Sequence, residues 1–317
     1  MTETLAVDIG GTTTRFALYT AKNQQPLRTS TVFSFATQAN SIGSFLQFIE
    51  HYHAHKPASL PCFVDVDRIV LAVPGPVTGQ RCLLPNVCWD IDLDEVPFRH
   101  IIMLNDFTAQ AYGCTVVDIM QQFRKIRAGK TDRHRRMAVI GAGTGLGHCC
   151  LVEDETGCIA VPSEAGYAGF AFNGEQEKNL EQFMLARLGL PYMVNDVVVS
   201  GTGLTLLHEF LTGEAVSAET VFGTANAETL ALFSRFYGRV CRNYCLINMI
   251  DRLVISGGIA IKHPEVVTSP AFMDEFLNTA SPAYIPALEN ITVLLNTDEN
   301  IGLAGAARFA SLQYGKD

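Results

Sequence analysis

The sequence predicts an α/β fold built from a duplicated βββαβα unit, the two copies facing each other across a central cleft. Three observations point there. Residues Leu5–Leu18 and Met137–Leu151 share one pattern, an apolar run, a Gly/Thr-rich turn and a second run. Further echoes follow in the same order: Val70–Pro76 is answered by Leu253–Ile259, and Ile101–Asp106 by Val293–Asp298. The length of 317 residues is that of two domains at about 100–200 residues each.

In each copy the residues after the glycine turn are β-branched, aromatic or thiol-bearing and lack helical spacing, so the turn joins two strands in a hairpin. Val70–Pro76 and Leu253–Ile259 are strands that end in glycine. Ile101–Asp106 is a strand leading into a helix over 107–112, and Val293–Asp298 leads into a helix over 302–308. Apolar residues recurring at three and four predict helices at 40–52, 175–189, 204–212 and 226–250. In the last, Leu230, Phe233, Phe236, Tyr237 and Val240 share a core face. Arg124–Arg136, between the copies, carries seven of the 23 basic residues and reads as a solvated linker at the domain junction.

Composition narrows the partners. With 23 Lys and Arg against 32 Asp and Glu, the formal charge of −9 disfavours a nucleic-acid surface and leaves a small molecule as the expected partner. No apolar run approaches the ~18 residues that cross a bilayer, and no basic-then-apolar leader precedes the strand at Leu5, so a cytoplasmic protein is expected. Nine cysteines with no CxxC pair argue against a disulfide framework or a zinc ribbon; they read as reduced, mostly core thiols.

A Gly/Thr turn between strands exposes consecutive backbone N–H groups, and its small residues let a polyphosphate approach. Two facing turns could clasp a nucleoside triphosphate, with Asp8 at the end of the first strand holding Mg2+ through water. Other phosphate motifs fail on the letters. A P-loop ending in Gly129-Lys130-Thr131 would need glycine where Arg124 stands. A dinucleotide fingerprint needs a helix after its turn, whereas Gly141, Gly143, Gly145 and Gly147 alternate and precede a strand. Asp106, between strand and helix, is either an N-cap or, in a cleft above bound phosphate, a base for an attacking hydroxyl with Asn105 beside it. Glu164, in the loop Pro162–Tyr167, can accept from vicinal sugar hydroxyls. His51, His53 and His55, two apart, read as surface polar residues, and His148 could face the cleft.

Together these segments resemble the hexokinase-type sugar kinases of the two-lobed actin-like ATPase (ribonuclease H-like) fold, and among them the bacterial glucokinases. Asp8-Ile-Gly-Gly-Thr-Thr-Thr-Arg15 looks like their first phosphate motif, and Leu104-Asn-Asp-Phe-Thr-Ala109 like the sugar-binding and first connecting motif. Gly141-Ala-Gly-Thr-Gly-Leu-Gly147 is similar to the second phosphate motif, Ile255-Ser-Gly-Gly-Ile259 to the adenosine motif, and Gly302-Leu-Ala-Gly-Ala306 to the second connector. The five motifs span nearly the whole chain in the family's order. The resemblance implies a small domain over 1–107 completed by a C-terminal helix at 300–317, and a large domain over 108–299. It also implies Asp106 as base for the sugar 6-hydroxyl, Asn105 and Glu164 as sugar ligands, and MgATP as donor. Asp8, Gly10, Gly11, Thr12, Thr13, Gly143, Thr144, Gly145, Gly257 and Gly258 would bind the nucleotide.

Zinc is not expected, because the cysteine-rich motif of the repressor/kinase branch is absent, as is a helix-turn-helix extension. Two positions depart from the glucokinase pattern: Ser163-Glu-Ala-Gly-Tyr167 stands where a Gly-Glu-Gly-Gly-His run is usual, and Asp196 where a further Glu binds the anomeric end. Tyr167 and Asp196 would therefore meet the C1 and C2 side of the sugar. Glucose, weakly held glucose or another hexose all remain open. The resemblance implies phosphorylation of a hexose at the 6-hydroxyl, glucose to glucose 6-phosphate at the start of glycolysis, by a cytoplasmic protein that could form a homodimer. The alternative is a regulatory protein on the same fold that binds nucleotide or sugar with little turnover.

Overall fold

The computed structural model describes residues 2–38, 42–85, 87–98, 100–130, 135–155 and 157–314. They group into two units, Met1–Gln122 with Asp298–Asp317, and Phe123–Thr297.

In the first unit, β1 (Glu3–Ile9) and β2 (Thr13–Lys22) form the hairpin expected around the first glycine turn, and β3 (Gln25–Arg28) and β4 (Phe33–Ala36) both pair with β2. β5 (Arg68–Val73) runs parallel to β1 on its other side. Leu5, Ala6 and Val7 are fully buried, as a strand covered on both faces must be. Short strands β6 (Val77–Thr78), β7 (Arg81–Cys82) and β8 (Ile91–Asp92) form a separate small sheet, which the sequence did not suggest. β9 (Ile101–Asn105) then pairs parallel with β5. The helix Phe45–His55 covers the sheet with Phe48 and Tyr52, which stack on Phe16 and leave no solvent gap; it starts later than the expected 40, and residues 39–41 lie outside the described residues.

The second unit repeats that plan. β11 (Arg136–Ala142) and β12 (Leu146–Asp154) form the second hairpin, with β13 (Gly157–Ser163) antiparallel on β12. β14 (Arg252–Ser256) pairs parallel with β11, and β15 (Thr292–Leu295) parallel with β14. The order β13-β12-β11-β14-β15 therefore matches β3-β2-β1-β5-β9, so the duplication read from weak similarity is present as sheet topology. Helices Gly174–Leu188, Gly201–Thr212 and Ala227–Asn248 fall within three residues of their expected starts and ends. Phe233, Phe236, Tyr237 and Val240 form the buried face of the long one.

Two expectations change. The basic segment is not simply a linker: Arg124–Arg127 is β10, antiparallel to β15, and Arg127 donates to the carbonyls of Leu288, Glu289 and Ile291. Residues 131–134 of that segment lie outside the described residues. The first unit also extends to Gln122 rather than 107. The helix Asp106–Gly113 belongs to it because it crosses the C-terminal helix Ile301–Tyr314 at almost backbone contact: a Cβ on Gly305 would stand 1.7 Å from the Ala109 carbonyl, and one on Gly113 2.4 Å from that of Ile301. Only glycine permits that approach.

Candidate active site

The first turn is held chiefly by the two residues that follow β4. Thr37 donates through Oγ1 to the Gly10 carbonyl at 2.7 Å and through N to the Thr12 carbonyl at 3.0 Å. Gln38 Nε2 reaches the Gly11 carbonyl, and Gly10 N–H closes on the Thr13 carbonyl at 3.1 Å. Four successive carbonyls are thus engaged by protein donors, and the tip of the turn is half-buried Gly11 and exposed Thr12. Asp8 precedes the turn. It faces Arg15 across the hairpin, and Gly302 lets the end of the C-terminal helix lie against its carboxylate, where a Cβ would be 3.0 Å from Oδ2. Burial lifts the Asp8 pKa to about 6 against the opposing pull of Arg15, whose guanidinium is shared with Glu299 at 3.1 Å.

The second turn, Gly143-Thr144-Gly145, is pinned in the same manner. Gly143 N–H bonds the Gly145 carbonyl at 2.8 Å, its own carbonyl accepts from Gly201 N–H at 3.1 Å, and the buried Tyr237 hydroxyl receives Ala142 N–H at 3.1 Å. Asp196 completes the frame: its Oδ1 accepts Leu146 N–H at 2.6 Å, and a Cβ on Gly145 would collide with that oxygen at 2.5 Å. No atom lies within 4 Å of the Cβ position of Gly143, so that residue opens toward ligand space. Gly257, with φ +84°, packs on Ala142 where a side chain would sit 2.6 Å from the carbonyl, while Gly258 beside it is open.

Asn105, not Asp106, is the N-cap. Its Oδ1 accepts from Phe107 N and Thr108 N at 3.0 and 3.2 Å, and its Nδ2 points to the Gly75 carbonyl at 3.4 Å. Asp106 is the first helical residue, with Oδ1 accepting Phe107 N–H at 2.9 Å. The helix amides thus orient both side chains.

Glu164, Tyr167 and Asp196 are brought together in the second unit. Gly166, between the first two, packs on the Leu146 carbonyl and on Asp196, and Asn195 Nδ2 donates to the Ala165 carbonyl at 3.0 Å. Desolvation and the Asp196 charge raise the Glu164 pKa. Desolvation, then Asp196 and Glu164, raise that of Tyr167, so its exposed phenol stays protonated and able to donate. Asp196 is itself raised by burial, against the Leu146 hydrogen bond that favours its charge. Its bond to Leu146, next to the turn, makes it a support for the second glycine turn as well as the candidate sugar contact the sequence proposed.

His148 does not face a ligand. It is buried under the sheet at 1% exposure, its ring 4.8 Å from Tyr244, and neither ring nitrogen has a hydrogen-bond partner. Desolvation drops its pKa to about 4. On the histidine helix His55 is exposed as expected, while His51 and His53 are half-buried. His51 and His55 are four apart and stack with centroids at 4.2 Å, while His53 Nε2 accepts Phe63 N–H. Sequence reasoning missed Thr37, Gln38, Gly201 and Tyr237, which hold the turns from a distance; the buried-face assignment of Tyr237 was the one hint available.

Among the described residues no three His, Cys, Asp or Glu side chains form a metal-binding group, and no helix is long and apolar enough to cross a membrane. The glucokinase family model matches residues 5–313. A glucokinase of Nostoc punctiforme is 28% identical over 98% of this chain and 99% of its own length, and one of Synechocystis is 26% identical over 96% of each. The crystal structure of glucokinase from an Antarctic psychrotroph superposes with a TM-score of 0.77 at 26% identity, covering 98% of both chains. The Balamuthia mandrillaris glucokinase, solved in complex with glucose, shares the fold with a TM-score of 0.80 at 19% identity, over 98% of this chain and 94% of that one. The fold is that of the two-lobed actin-like ATPases, and the chain belongs to the glucokinase family.

Proposed function

We infer that this chain transfers the γ-phosphoryl group of ATP to the 6-hydroxyl of glucose. The observation that carries the site assignment is the construction of the two glycine turns: protein donors take the carbonyls of Gly10 to Thr13 in the first and of Gly143 and Gly145 in the second, the amides of Gly10 and Gly143 close the turns, and the amides at the tips, Gly11, Thr12, Thr144 and Gly145, are the ones we assign to phosphate oxygens. Gly10, Gly11, Thr12 and Thr13 form one set, Gly143, Thr144 and Gly145 the other, and Gly257 with Gly258 opens beside the second.

Phosphoryl transfer asks a protein mainly for positioning and charge. Asp106 takes the proton of the 6-hydroxyl, its carboxylate oriented by the first turn of its helix. Asn105 is held by its capping bonds and presents its amide to the sugar. Glu164 accepts from sugar hydroxyls, and Tyr167 and Asp196 read the C1 and C2 side. Asp8 suits Mg2+, being a hard oxygen donor with one partial counter-charge in Arg15. Mg2+ accompanying ATP neutralises charge on the phosphates. A cytoplasmic location belongs to the same reading.

The test is ADP release from MgATP over a panel of hexoses. Glucose should give the highest kcat/KM and galactose a poor one. Tight nucleotide or sugar binding with no sugar-dependent ADP release would instead support the regulatory alternative.

A further inference from the structure

One short segment of the second unit, Asn195–Gly201, is bonded both to the loop that carries Glu164 and Tyr167 and to the two flanks of the second glycine turn. Asn195 Nδ2 donates to the Ala165 carbonyl at 3.0 Å, and Asn195 N–H to the Ala168 carbonyl at 3.0 Å. The next residue, Asp196, accepts Leu146 N–H on one side of the turn, and Gly201 N–H reaches the Gly143 carbonyl on the other. The loop also lies directly on Leu146, where a Cβ on Gly166 would be 2.5 Å from the carbonyl.

The segment is closely packed along its second half. Ser200 Oγ donates to the Val197 carbonyl at 2.8 Å and accepts Gly203 N–H as N-cap of the helix Gly201–Thr212. A Cβ on Gly203 would stand 2.1 Å from the Val198 carbonyl, and Val198 and Val199 are buried. Its first half, the helix Asn195–Val198, has four residues and no side-chain cap. A helix that short does not hold itself. The bonds of Asn195 to the loop and of Asp196 to the turn fix where it sits.

We propose that Asn195 is a positioning residue through which the segment Asn195–Gly201 ties the sugar loop to the phosphate turn, so that sugar held at Glu164 and Tyr167 favours MgATP at Gly143–Gly145, and the reverse. This rests on the reading of those two groups of residues as sugar and phosphate sites. A ligand that orders one end of a shared tie lowers the entropy still to be lost at the other end. Linkage makes the gain equal in both directions. A hydrogen bond that served stability alone would weaken both ligands in parallel and leave their effect on each other unchanged.

The experiment is calorimetry of glucose binding with and without saturating MgAMPPNP, an ATP analogue whose γ-phosphoryl group is not transferred; the ratio of the two affinities is the coupling factor. In wild type the nucleotide should tighten glucose about fivefold or more. Asn195 touches neither ligand in this reading, so in Asn195→Ala each ligand alone should bind within about threefold of wild type, while the coupling factor falls about threefold or more. Asp196→Asn keeps an oxygen for Leu146 N–H and should keep the factor, whereas Asp196→Ala has none and should lose it. Any sugar contact made by Asp196 cancels, because the factor compares one variant with itself. The proposal is overturned if wild type shows no coupling, or if folded Asn195→Ala loses less than about threefold of the factor. Should that variant fail to fold, equal factors in Asp196→Asn and Asp196→Ala would overturn it. Wild-type protein that binds no glucose or no MgAMPPNP would remove the two-site reading itself, and this inference with it.

Discussion

Replacing His148 by Phe should remove a large part of the protein's sensitivity to mild acid. The imidazole is buried beside Tyr244 with both nitrogens unpartnered, and its pKa falls from 6.5 to about 4. A proton taken up by the unfolded chain below pH 6.5 is therefore refused by the folded one, so stability falls as pH drops through that window. From those two values the loss between pH 8 and pH 5 is about 2 kcal/mol, rising toward about 3 kcal/mol near pH 4. At pH 8, where the ring is neutral in both states, the His148→Phe variant should be at least as stable as wild type, because it no longer buries two unsatisfied polar atoms. Urea unfolding at pH 8 and pH 5, followed by circular dichroism, gives the comparison. Carboxylates elsewhere titrate alike in both proteins and cancel. Equal losses of stability in wild type and variant over that range would refute the buried, neutral imidazole.

Three further outcomes follow from the site. Asp106→Asn should lower kcat by about a hundredfold to ten-thousandfold, as loss of a general base does, while glucose affinity measured by calorimetry changes little; a variant keeping a tenth or so of wild-type turnover would remove Asp106 from that role. Gly143→Val places its new atoms where the structure is open, so it should fold normally and lose MgATP affinity; unchanged affinity would count against phosphate at this turn. Tyr167→His should sharpen the preference for glucose over mannose and 2-deoxyglucose, and an unaltered C2 ranking in kcat/KM would mean that Tyr167 does not meet that side of the sugar.

What could be read in the letters was local. The hairpins around Asp8 and Gly143 declare themselves through strand residues on both sides of glycine. The strand-to-helix junction at Asn105 and Asp106 was found, although the letters could not say which of the two caps the helix. The rest depended on chain segments far apart in sequence. Thr37 fixes the first turn from β4's end, and Tyr237 fixes the second from a helix 95 residues away. Asp196 was chosen by resemblance as a sugar contact, yet its strongest visible bond is to Leu146 N–H, 50 residues earlier. The basic run at 124–127 looked solvated because charge dominates its composition; its backbone nevertheless completes the edge of a sheet, and Arg127 spends its guanidinium on three carbonyls. His148 misled for the opposite reason, since a polar residue next to a functional turn alternates onto the buried face of β12.

The most direct test of phosphoryl transfer to the sugar 6-hydroxyl is 13C and 31P NMR of the product formed from MgATP and uniformly 13C-labelled glucose. The account predicts one new phosphomonoester, coupled to C6, accumulating in step with ADP and absent with the Asp106→Asn protein over the same time. ADP formed without a sugar ester, or a phosphoryl group on any carbon other than C6, would contradict it.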